Sequence, residues 1–417
     1  MAGSILFSSL YALILIYSSS SASSSFYTDN DLGQSVPLGK VHRRHQEEVQ
    51  QELLELMGLY SKPKPKSNEK IIQSASKFMR NLYESIKDVD SSEYPSDDTR
   101  IHISSNINAS ALGLDPVKVE GADIIVSYVN NVRKVQTLRH ERNSTFYFEV
   151  PGGEEIKGAE LRLYKEVSST FKSGTFTINL YVIKQGQDWE EKILELESSI
   201  DVKWDTKGWL ILDASGATAK WTSGSCLNMG LYLRVLDVHG TLHDPQDIGI
   251  VGRRGPADKQ SFLVGYISMS RELQTRTRSF RNKRWAENDG KSYADNPYSE
   301  YSRAGYPGYR AHNNCQRHNL YISFRDIGFD QEFLIAPEGY SAFYCSGDCS
   351  FPLGIHMNAT NHAIVQTLVH LMDPYHVPKP CCAPTKFGTI TLLYYDDNSS
   401  VVLRRFRDMI VTACGCH

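Results

Sequence analysis

Apolar and polar residues alternate in a series of short segments between residues 123 and 270. Every second position is apolar in the runs Phe146–Val150, Glu160–Tyr164, Thr175–Val182 and Leu231–Val235. Because successive side chains of a strand point to opposite faces, this alternation predicts an antiparallel sheet domain with one buried face.

Helical periodicity precedes the sheet region. Residues 44–60 carry apolar side chains at i, i+4, i+7 and i+8, which predicts an amphipathic helix. A second helix is predicted near residues 76–87, where every fourth residue is again apolar. The two apolar stripes consist of Val49, Leu53, Leu56 and Met57, and of Phe78, Leu82 and Ile86.

Strand patterns return near the C-terminus. Leu320, Ile322 and Phe324 alternate with polar residues, and a similar alternation covers residues 390–394. The polar run 396–400 predicts a turn, after which Val401–Phe406 returns as the partner strand of a long hairpin.

One helix is predicted in this part of the chain, from about Asn361 to Met372. Thr360 or Asn361 is its predicted cap, and Pro374 stops it. Because its apolar residues cover most of its circumference, the helix must be buried on several sides. A thin pair of hairpins cannot bury it, so the pattern indicates a second protomer.

Residues 315–417 hold seven of the eight cysteines. This concentration indicates a small disulfide scaffold that follows a large domain with the single cysteine Cys226. Six cysteines allow 15 pairings, so spacing alone leaves the connectivity open. The odd thiol suggests a bond between two molecules. Cys226 is predicted to be a buried free thiol, or alternatively a link between two N-terminal domains.

Targeting signals indicate secretion. The apolar run 5–17 and the serine-rich tract after it predict a signal peptide, residues 1–25, although a buried helix is the alternative. The run is shorter than the roughly 20 residues that span a bilayer. A net charge of −3 argues against a nucleic-acid partner. Four sequons predict N-glycosylation at Asn108, Asn143, Asn358 and Asn398.

A basic segment predicts proteolytic maturation. Arg278 and Arg281 form one Arg-x-x-Arg frame, and Arg281, Lys283 and Arg284 form a second. A proprotein convertase has an acidic cleft that favours the second frame, so we predict cleavage after Arg284. The pair Arg253–Arg254 lacks the distal arginine and is predicted to lie in a solvated loop.

Three runs near the C-terminus carry a resemblance to a known family. Met357–Leu368, Val377–Pro384 and Ala413–His417 are similar to the mature ligands of the transforming growth factor β superfamily. The likeness is to the bone morphogenetic protein branch, of the osteogenic-protein and insect glass-bottom-boat type. Ala159–Tyr164 and Gly252–Pro256 resemble the propeptide of the same family.

The resemblance implies the fold and the domain organisation. The mature part is expected to be a small, disulfide-rich, all-β cystine knot with one helix, which forms a disulfide-linked dimer. An α+β propeptide, with N-terminal helices and an antiparallel β sheet, is expected before it. The implied domains are a signal peptide (1–25), a propeptide (26–284), a flexible N-terminal arm of the ligand (285–314) and the knot domain (315–417).

The resemblance also implies the pairing of the cysteines. The expected intrachain bonds are Cys315–Cys382, Cys345–Cys414 and Cys349–Cys416, and Cys381 is expected to join two protomers. The last two intrachain bonds close a ring through which the first passes. Gly347 and Gly415 are expected on the rim of this ring, where a Cβ would obstruct the threaded disulfide.

Two receptor sites are implied by the resemblance. The residues expected to contact a type I receptor kinase are Phe329, Phe333, Phe351, Pro352, Leu353, Val365, Leu368 and Met409. Those expected to contact a type II receptor kinase are Ala336, Pro337, Thr391, Leu392, Leu393 and Leu403. Ordinary core packing is the alternative for each of them. Phe329 and Phe333 replace two tryptophans of the family pattern, and one extra residue lies between them, so receptor choice is left open.

The expected partners follow from this interpretation. They are a second copy of the chain or another family ligand, type I and type II receptors, the chain's own propeptide, a proprotein convertase and extracellular antagonists.

No enzyme activity, cofactor or metal is expected, because apparent zinc-protease and phosphate-loop fragments lack required residues. The propeptide is expected to remain bound to the ligand, or alternatively to assist its folding without remaining bound. An extracellular antagonist built on the same knot is the competing function.

Overall fold

The computed structural model describes residues 25–29, 35–40, 43–57, 59, 61–63, 69–86, 100–102, 113–131, 144–153, 155–186, 192–268, 314–329 and 333–417. The predicted cleavage segment 281–284, nearly all of the predicted arm, and the sequons at Asn108 and Asn143 lie outside these residues. So does nearly all of the predicted signal peptide. The N-terminal region below means residues 25–268, and the cysteine domain means residues 314–417.

The N-terminal region begins with a ribbon of two strands, β1 (Ser25–Asp29) and β2 (Ser35–Lys40). Three helices follow: α1 (Arg43–Leu56), α2 (Glu69–Ile86) and the short α3 (Pro116–Glu120). The buried stripe of α2 consists of Ala75, Met79, Leu82, Tyr83 and Ile86. Phe78 of the predicted stripe is half-buried and packs against the same core as Leu82 and Ile86.

Antiparallel strands are the most abundant regular structure among the described residues of the N-terminal region, which confirms the predicted sheet. The strands are β3 (Ile124–Val129), β4 (Thr145–Phe146), β5 (Glu155–Lys165), β6 (Thr175–Gln185), β7 (Lys192–Lys203), β8 (Gly208–Asp213), β9 (Leu231–Asp237), β10 (Leu242–His243) and β11 (Phe262–Ser268). A further helix, α4 (Ser215–Thr222), follows β8. Strands β10, β9, β6 and β7 form one sheet in that order, with β4 beside β9.

The cysteine domain contains β12 (Gln316–His318), β13 (Tyr321–Ser323), β14 (Leu334–Ala336), β15 (Gly339–Ser341) and β16 (Tyr344–Ser346). Helix α5 (Asn361–Met372) precedes the long hairpin of β17 (Cys382–Tyr395) and β18 (Val401–Cys416). The predicted helix and hairpin are both confirmed. The Thr360 hydroxyl caps α5, since it accepts a hydrogen bond from Ala363 N at 3.1 Å.

The second sheet joins the two parts of the chain. Its seven strands follow the order β14, β17, β18, β3, β11, β5 and β8. At the junction, Val401–Arg404 of β18 pair antiparallel with Ile124–Ser127 of β3. The N-terminal region therefore adds its sheet to the edge of the long hairpin, as in β-strand addition by a separate partner.

Two hydrophobic cores lie on the two faces of this joined sheet. One core lies between the two large sheets and includes Leu54 and Met57 together with Phe329, Phe333 and Leu392. The other core lies under α2 and includes Leu393 and Leu403. Among the described residues, no helix combines the length and the apolar character needed to cross a bilayer.

Candidate functional site

Three disulfides hold the cysteine domain together: Cys315–Cys382, Cys345–Cys414 and Cys349–Cys416. These are the three pairs that the family resemblance implied. The sulfurs of Cys315, Cys349 and Cys416 lie within 4.8 Å of one another, so the first bridge passes close beside the third. Because each of these sulfurs is already in a disulfide, the cluster offers no thiolate to a metal ion.

The two rim glycines make room for backbone rather than for the threaded disulfide, which corrects the expectation. Gly347 has φ +128°, and a Cβ there would lie 2.4 Å from the Asn314 carbonyl oxygen and 2.7 Å from Cys315 N. A Cβ at Gly415 would lie 2.6 Å from the Asn358 carbonyl oxygen. Gly347 thus admits the segment that leads into Cys315, and Gly415 admits the loop before α5.

Helix α5 presents an apolar face to solvent. Only Ala363 and Thr367 of this helix are buried, whereas Val365 is 57% exposed, Leu368 43% and Met372 78%. Cys381 is also exposed and carries a free thiol. Such a cluster of exposed apolar residues is typical of a surface that another protein covers.

The residues predicted to contact a type I receptor fall into two groups. Phe351, Pro352, Val365 and Leu368 are exposed, and the half-buried Leu353 packs on the knot. Phe329 and Phe333 are instead buried, with ring centroids 5.4 Å apart in an edge-to-face contact, and Met409 packs against the same core. Both rings lie in the core that contains Leu54 and Met57 of the N-terminal region, so their contact with a type I receptor stays a prediction.

Helix α1 and the segment after it hold the loop that carries Phe329. The side-chain amide of Gln50 donates to the Gly328 carbonyl at 3.0 Å, and Lys62 Nζ donates to the same oxygen at 3.3 Å. Both donors lie in the N-terminal region, more than 260 residues away in sequence. The N-terminal region therefore covers this end of the hairpin.

The residues predicted to contact a type II receptor do not share one surface. Leu393 and Leu403 lie opposite each other in the hairpin, and both are fully buried under α2. Ala336 packs against the same core. Leu392 is also buried, but its side chain lies in the core on the opposite face. Because adjacent residues of a strand point to opposite faces, the assignment of Leu392 to the outer face was wrong.

Pro337 and Thr391 border a cavity of about 290 Å³ between the two parts of the chain. Tyr83, Ile86 and Ile101 of the N-terminal region line its other wall. The predicted type II residues, apart from Leu392, thus face α2 and the residues near Ile101. In the uncut chain this face is covered.

Two adjacent arginines of β18 bind the N-terminal region, and the sequence analysis missed them. Arg404 Nη1 donates to the Met57 carbonyl at 3.1 Å on one face of the sheet. Arg405 is buried on the other face, where Nη1 donates to the Arg100 carbonyl at 2.9 Å and Nε to Thr389 Oγ1 at 2.7 Å. Two adjacent arginines within the otherwise apolar run Val401–Phe406 were the available signal.

A buried polar network fixes α2 to the sheet of the N-terminal region. Arg162 Nη2 donates to Glu160 at 2.9 Å and to the Gly113 carbonyl at 2.7 Å, and its guanidinium lies 4.2 Å from the ring centre of Phe78. The Tyr266 hydroxyl donates to Glu160 at 3.2 Å, and burial raises the pKa of this tyrosine. Through Phe78 the network contacts α2, which also packs on Leu393 and Leu403 of the hairpin.

Asp396 organises the tip of the long hairpin. Its carboxylate accepts hydrogen bonds from Ser400 N at 2.7 Å and Asn398 N at 2.9 Å. Burial nevertheless raises the pKa of Asp396 to about 6, because desolvation outweighs these two bonds.

The remaining predicted sites lie at the surface or half-buried. Asn398 and Asn358 are exposed, and Asn358 Nδ2 donates to the Cys414 carbonyl at 3.2 Å. Glycosylation at either residue stays a prediction.

Cys226 has a free, half-buried thiol that contacts the Leu227 carbonyl. Arg253 and Arg254 lie in a turn whose carbonyls at 252, 255 and 256 accept hydrogen bonds from the Gln260 amide.

Comparison with known proteins gives matches over both parts of the chain. The family described as TGF-beta propeptide matches residues 30–266, and the transforming growth factor beta like domain matches residues 314–416. Bone morphogenetic protein 8A of Mus musculus is 35% identical over 391 residues, which cover 91% of this chain and 92% of the relative. Protein 60A of Drosophila virilis is 34% identical and covers 98% of both chains.

Proposed function

Because this chain belongs to the transforming growth factor β superfamily, as a growth factor precursor of the bone morphogenetic protein branch, we propose that it is secreted and cleaved after Arg284. Residues 285–417 are then released as a ligand whose dimer bridges type I and type II receptor kinases and triggers SMAD signalling. The N-terminal region is its propeptide.

The observation that carries this proposal is the exposed apolar face of α5 beside the free thiol of Cys381. A helix with Ile364, Leu371 and Met372 in water is unfavourable, since each buried side chain of this size gains about 1.5–3 kcal/mol. A second protomer covers such a face, and a Cys381–Cys381 bond secures the contact. Another ligand of the same family would serve as the second protomer through the same apolar contacts and the same disulfide.

The type I site is proposed at the exposed loop Phe351–Leu353 together with Val365 and Leu368. Leu353 packs against the knot, whose three disulfides hold the start of the loop in place. A rigid apolar loop is a favourable anchor for a partner, because little conformational entropy is lost on binding. Leu353 is the proposed central contact.

The type II site is proposed at the outer hairpin face that holds Thr391, Leu393 and Leu403. In the uncut chain α2 and β3 cover this face, and Leu403 pairs with Ile125. Cleavage at Arg284 by itself leaves these noncovalent contacts in place. The propeptide therefore masks the type II face until it dissociates, whereas the exposed loop Phe351–Leu353 is open throughout.

Receptor binding by purified, convertase-processed ligand tests the function. Ectodomain panels should show binding to at least one type I and one type II receptor, and responsive cells should phosphorylate SMAD proteins. L353A should weaken type I binding by about tenfold or more and leave type II binding intact. T391E should do the reverse, so each variant is the control for the other.

Two results would contradict this function. A ligand that binds neither receptor class, although folded and dimeric, would rule out the receptor role. A ligand that suppresses the signal of an added family growth factor, and gives no SMAD phosphorylation itself, would identify an antagonist.

A further inference from the structure

The last residue of the chain pairs with the free cysteine of the cysteine domain. Cys381 N donates to the main-chain oxygen of His417 at 2.8 Å, and His417 N donates to the Cys381 carbonyl at 2.9 Å. This doubly bonded pair, the terminal rung, continues the ladder of β17 and β18 one residue beyond Cys382 and Cys416. The contact uses main-chain atoms of both residues.

The terminal rung fixes the direction of the Cys381 side chain. Cys381 is the neighbour of Cys382, which is bonded to Cys315 in the knot. Because successive residues of a paired strand point to opposite faces, the ladder directs the Cys381 thiol away from the Cys315–Cys382 bridge. The exposed state of Cys381 agrees with this direction.

The segment before Cys381 is anchored to α5. Gln366 Nε2 donates to the Pro378 carbonyl at 2.9 Å, and His370 Nδ1 donates to the Val377 carbonyl at 2.6 Å. These bonds end three residues before Cys381. The terminal rung is the first main-chain contact of Cys381 itself, so it governs where the thiol lies.

Two reactions compete for this thiol. In the productive one, the Cys381 thiols of two protomers lose two protons and two electrons to an acceptor disulfide of an oxidoreductase, which becomes a dithiol. In the unproductive one, the Cys381 thiolate attacks the sulfur of Cys315, forms a Cys315–Cys381 bond and releases the Cys382 thiolate. This exchange needs no external oxidant.

We propose that His417 is a positioning residue for the interchain disulfide, which acts through the terminal rung and keeps the Cys381 thiol from exchanging with the knot. The inference rests on the proposed role of Cys381 in the dimer. It assigns the function of His417 to its main chain rather than to its imidazole.

Two substitutions test the inference in the full, secreted chain: one removes only the imidazole of His417, and the other also removes its main-chain N–H. H417A keeps both main-chain bonds and should give the wild-type fraction of disulfide-linked dimer on a non-reducing gel. H417P lacks the N–H donor and should lower that fraction roughly fivefold, the factor for one lost backbone hydrogen bond. Proline suits this position, because the preceding Cys416 is already extended in β18.

Peptide mapping of the disulfides supplies the second readout. H417P should yield a Cys315–Cys381 peptide that H417A does not yield. The double variant C381S/H417P has no thiol at position 381, so it should recover the three native knot pairs in a monomeric product.

Three results would overturn the inference. Equal dimer fractions and equal maps for H417P and H417A would remove the role of the terminal rung. A defect in H417A as large as that in H417P would move the role to the imidazole. Scrambled pairs in C381S/H417P would mean that the rung is needed for folding rather than for steering Cys381. A wild-type chain without a Cys381 bond would instead contradict the proposed dimer.

Discussion

Leu403 and Ile125 lie opposite each other where the hairpin of the cysteine domain meets the propeptide sheet, and both are fully buried. Leu403 belongs to the proposed ligand and Ile125 to the proposed propeptide. Directly opposed residues in an antiparallel pair have their side chains on the same face, here under α2. Proteolysis after Arg284 therefore leaves a continuous sheet made of two chains.

Ile125 should control how long the propeptide stays bound. I125A removes apolar volume from the shared core, at a cost of about 2–5 kcal/mol, and it leaves the mature ligand unchanged. Purified, cleaved complex should release its propeptide at least about tenfold faster, as measured by surface-immobilised ligand and buffer wash. V117A, at a highly exposed position of the same region, is the matched control. Equal release rates for the two variants would mean that the joined sheet does not retain the propeptide.

Arg405 should contribute more to retention than Arg404. Both arginines donate to propeptide carbonyls, but Arg405 is buried and also holds Thr389. A charged hydrogen bond contributes about 1.5–3 kcal/mol, and it is stronger in the low-dielectric surroundings of the buried Arg405 than where water reaches the donor. R405M should therefore accelerate dissociation by more than tenfold, and R404M by less. The same wash experiment ranks the two variants, and a reversed order would contradict the assignment.

Local signals explain the parts of the cysteine domain that could be predicted from sequence. Thr360 and Pro374 bracket α5, and alternation marks both strands of the long hairpin. The knot pairs needed the family resemblance, because spacing does not determine connectivity. These features depend on a few neighbouring residues or on a long shared motif.

The contact between propeptide and ligand could not be predicted in the same way. Strands β3 and β18 lie more than 270 residues apart, and any two free strand edges carry the same main-chain donors and acceptors. Phe329 and Phe333 were expected at a receptor contact because they replace two tryptophans of the family pattern, whereas their burial in this structure involves the distant α1. The wrong face of Leu392 could have been avoided from the sequence alone. Adjacent residues of a strand point to opposite faces, so Leu392 and Leu393 cannot share the outer face.

The tip of the hairpin should be more stable at mildly acidic pH. The pKa of Asp396 is raised to about 6 from 3.8, so the folded protein binds this proton more tightly than the unfolded chain. The resulting stability is complete below about pH 4 and is lost as the pH rises through about 6.

D396N removes this dependence, because an amide cannot ionise. Relative to wild type, D396N should gain about 2–3 kcal/mol between pH 4 and pH 7.5, since one pKa unit corresponds to about 1.4 kcal/mol. Denaturant unfolding at the two pH values measures the difference. E120Q, which removes an exposed carboxylate of α3, is the control. If the free energy of unfolding changes equally between the two pH values for wild type and D396N, the pKa of the Asp396 carboxyl is not perturbed.

Maturation should depend on Arg284 and not on the dibasic pair at Arg253–Arg254. Subtilisin-like convertases bind their substrate in an extended form, and the turn around Arg254 is held by three hydrogen bonds from the Gln260 amide. R284A should therefore leave most of the secreted chain uncut, whereas R254A should be processed as wild type. An immunoblot against the cysteine domain distinguishes the two chain lengths. If R284A is cut normally, the processing site lies elsewhere; if R254A stays uncut, the turn opens enough to be recognised.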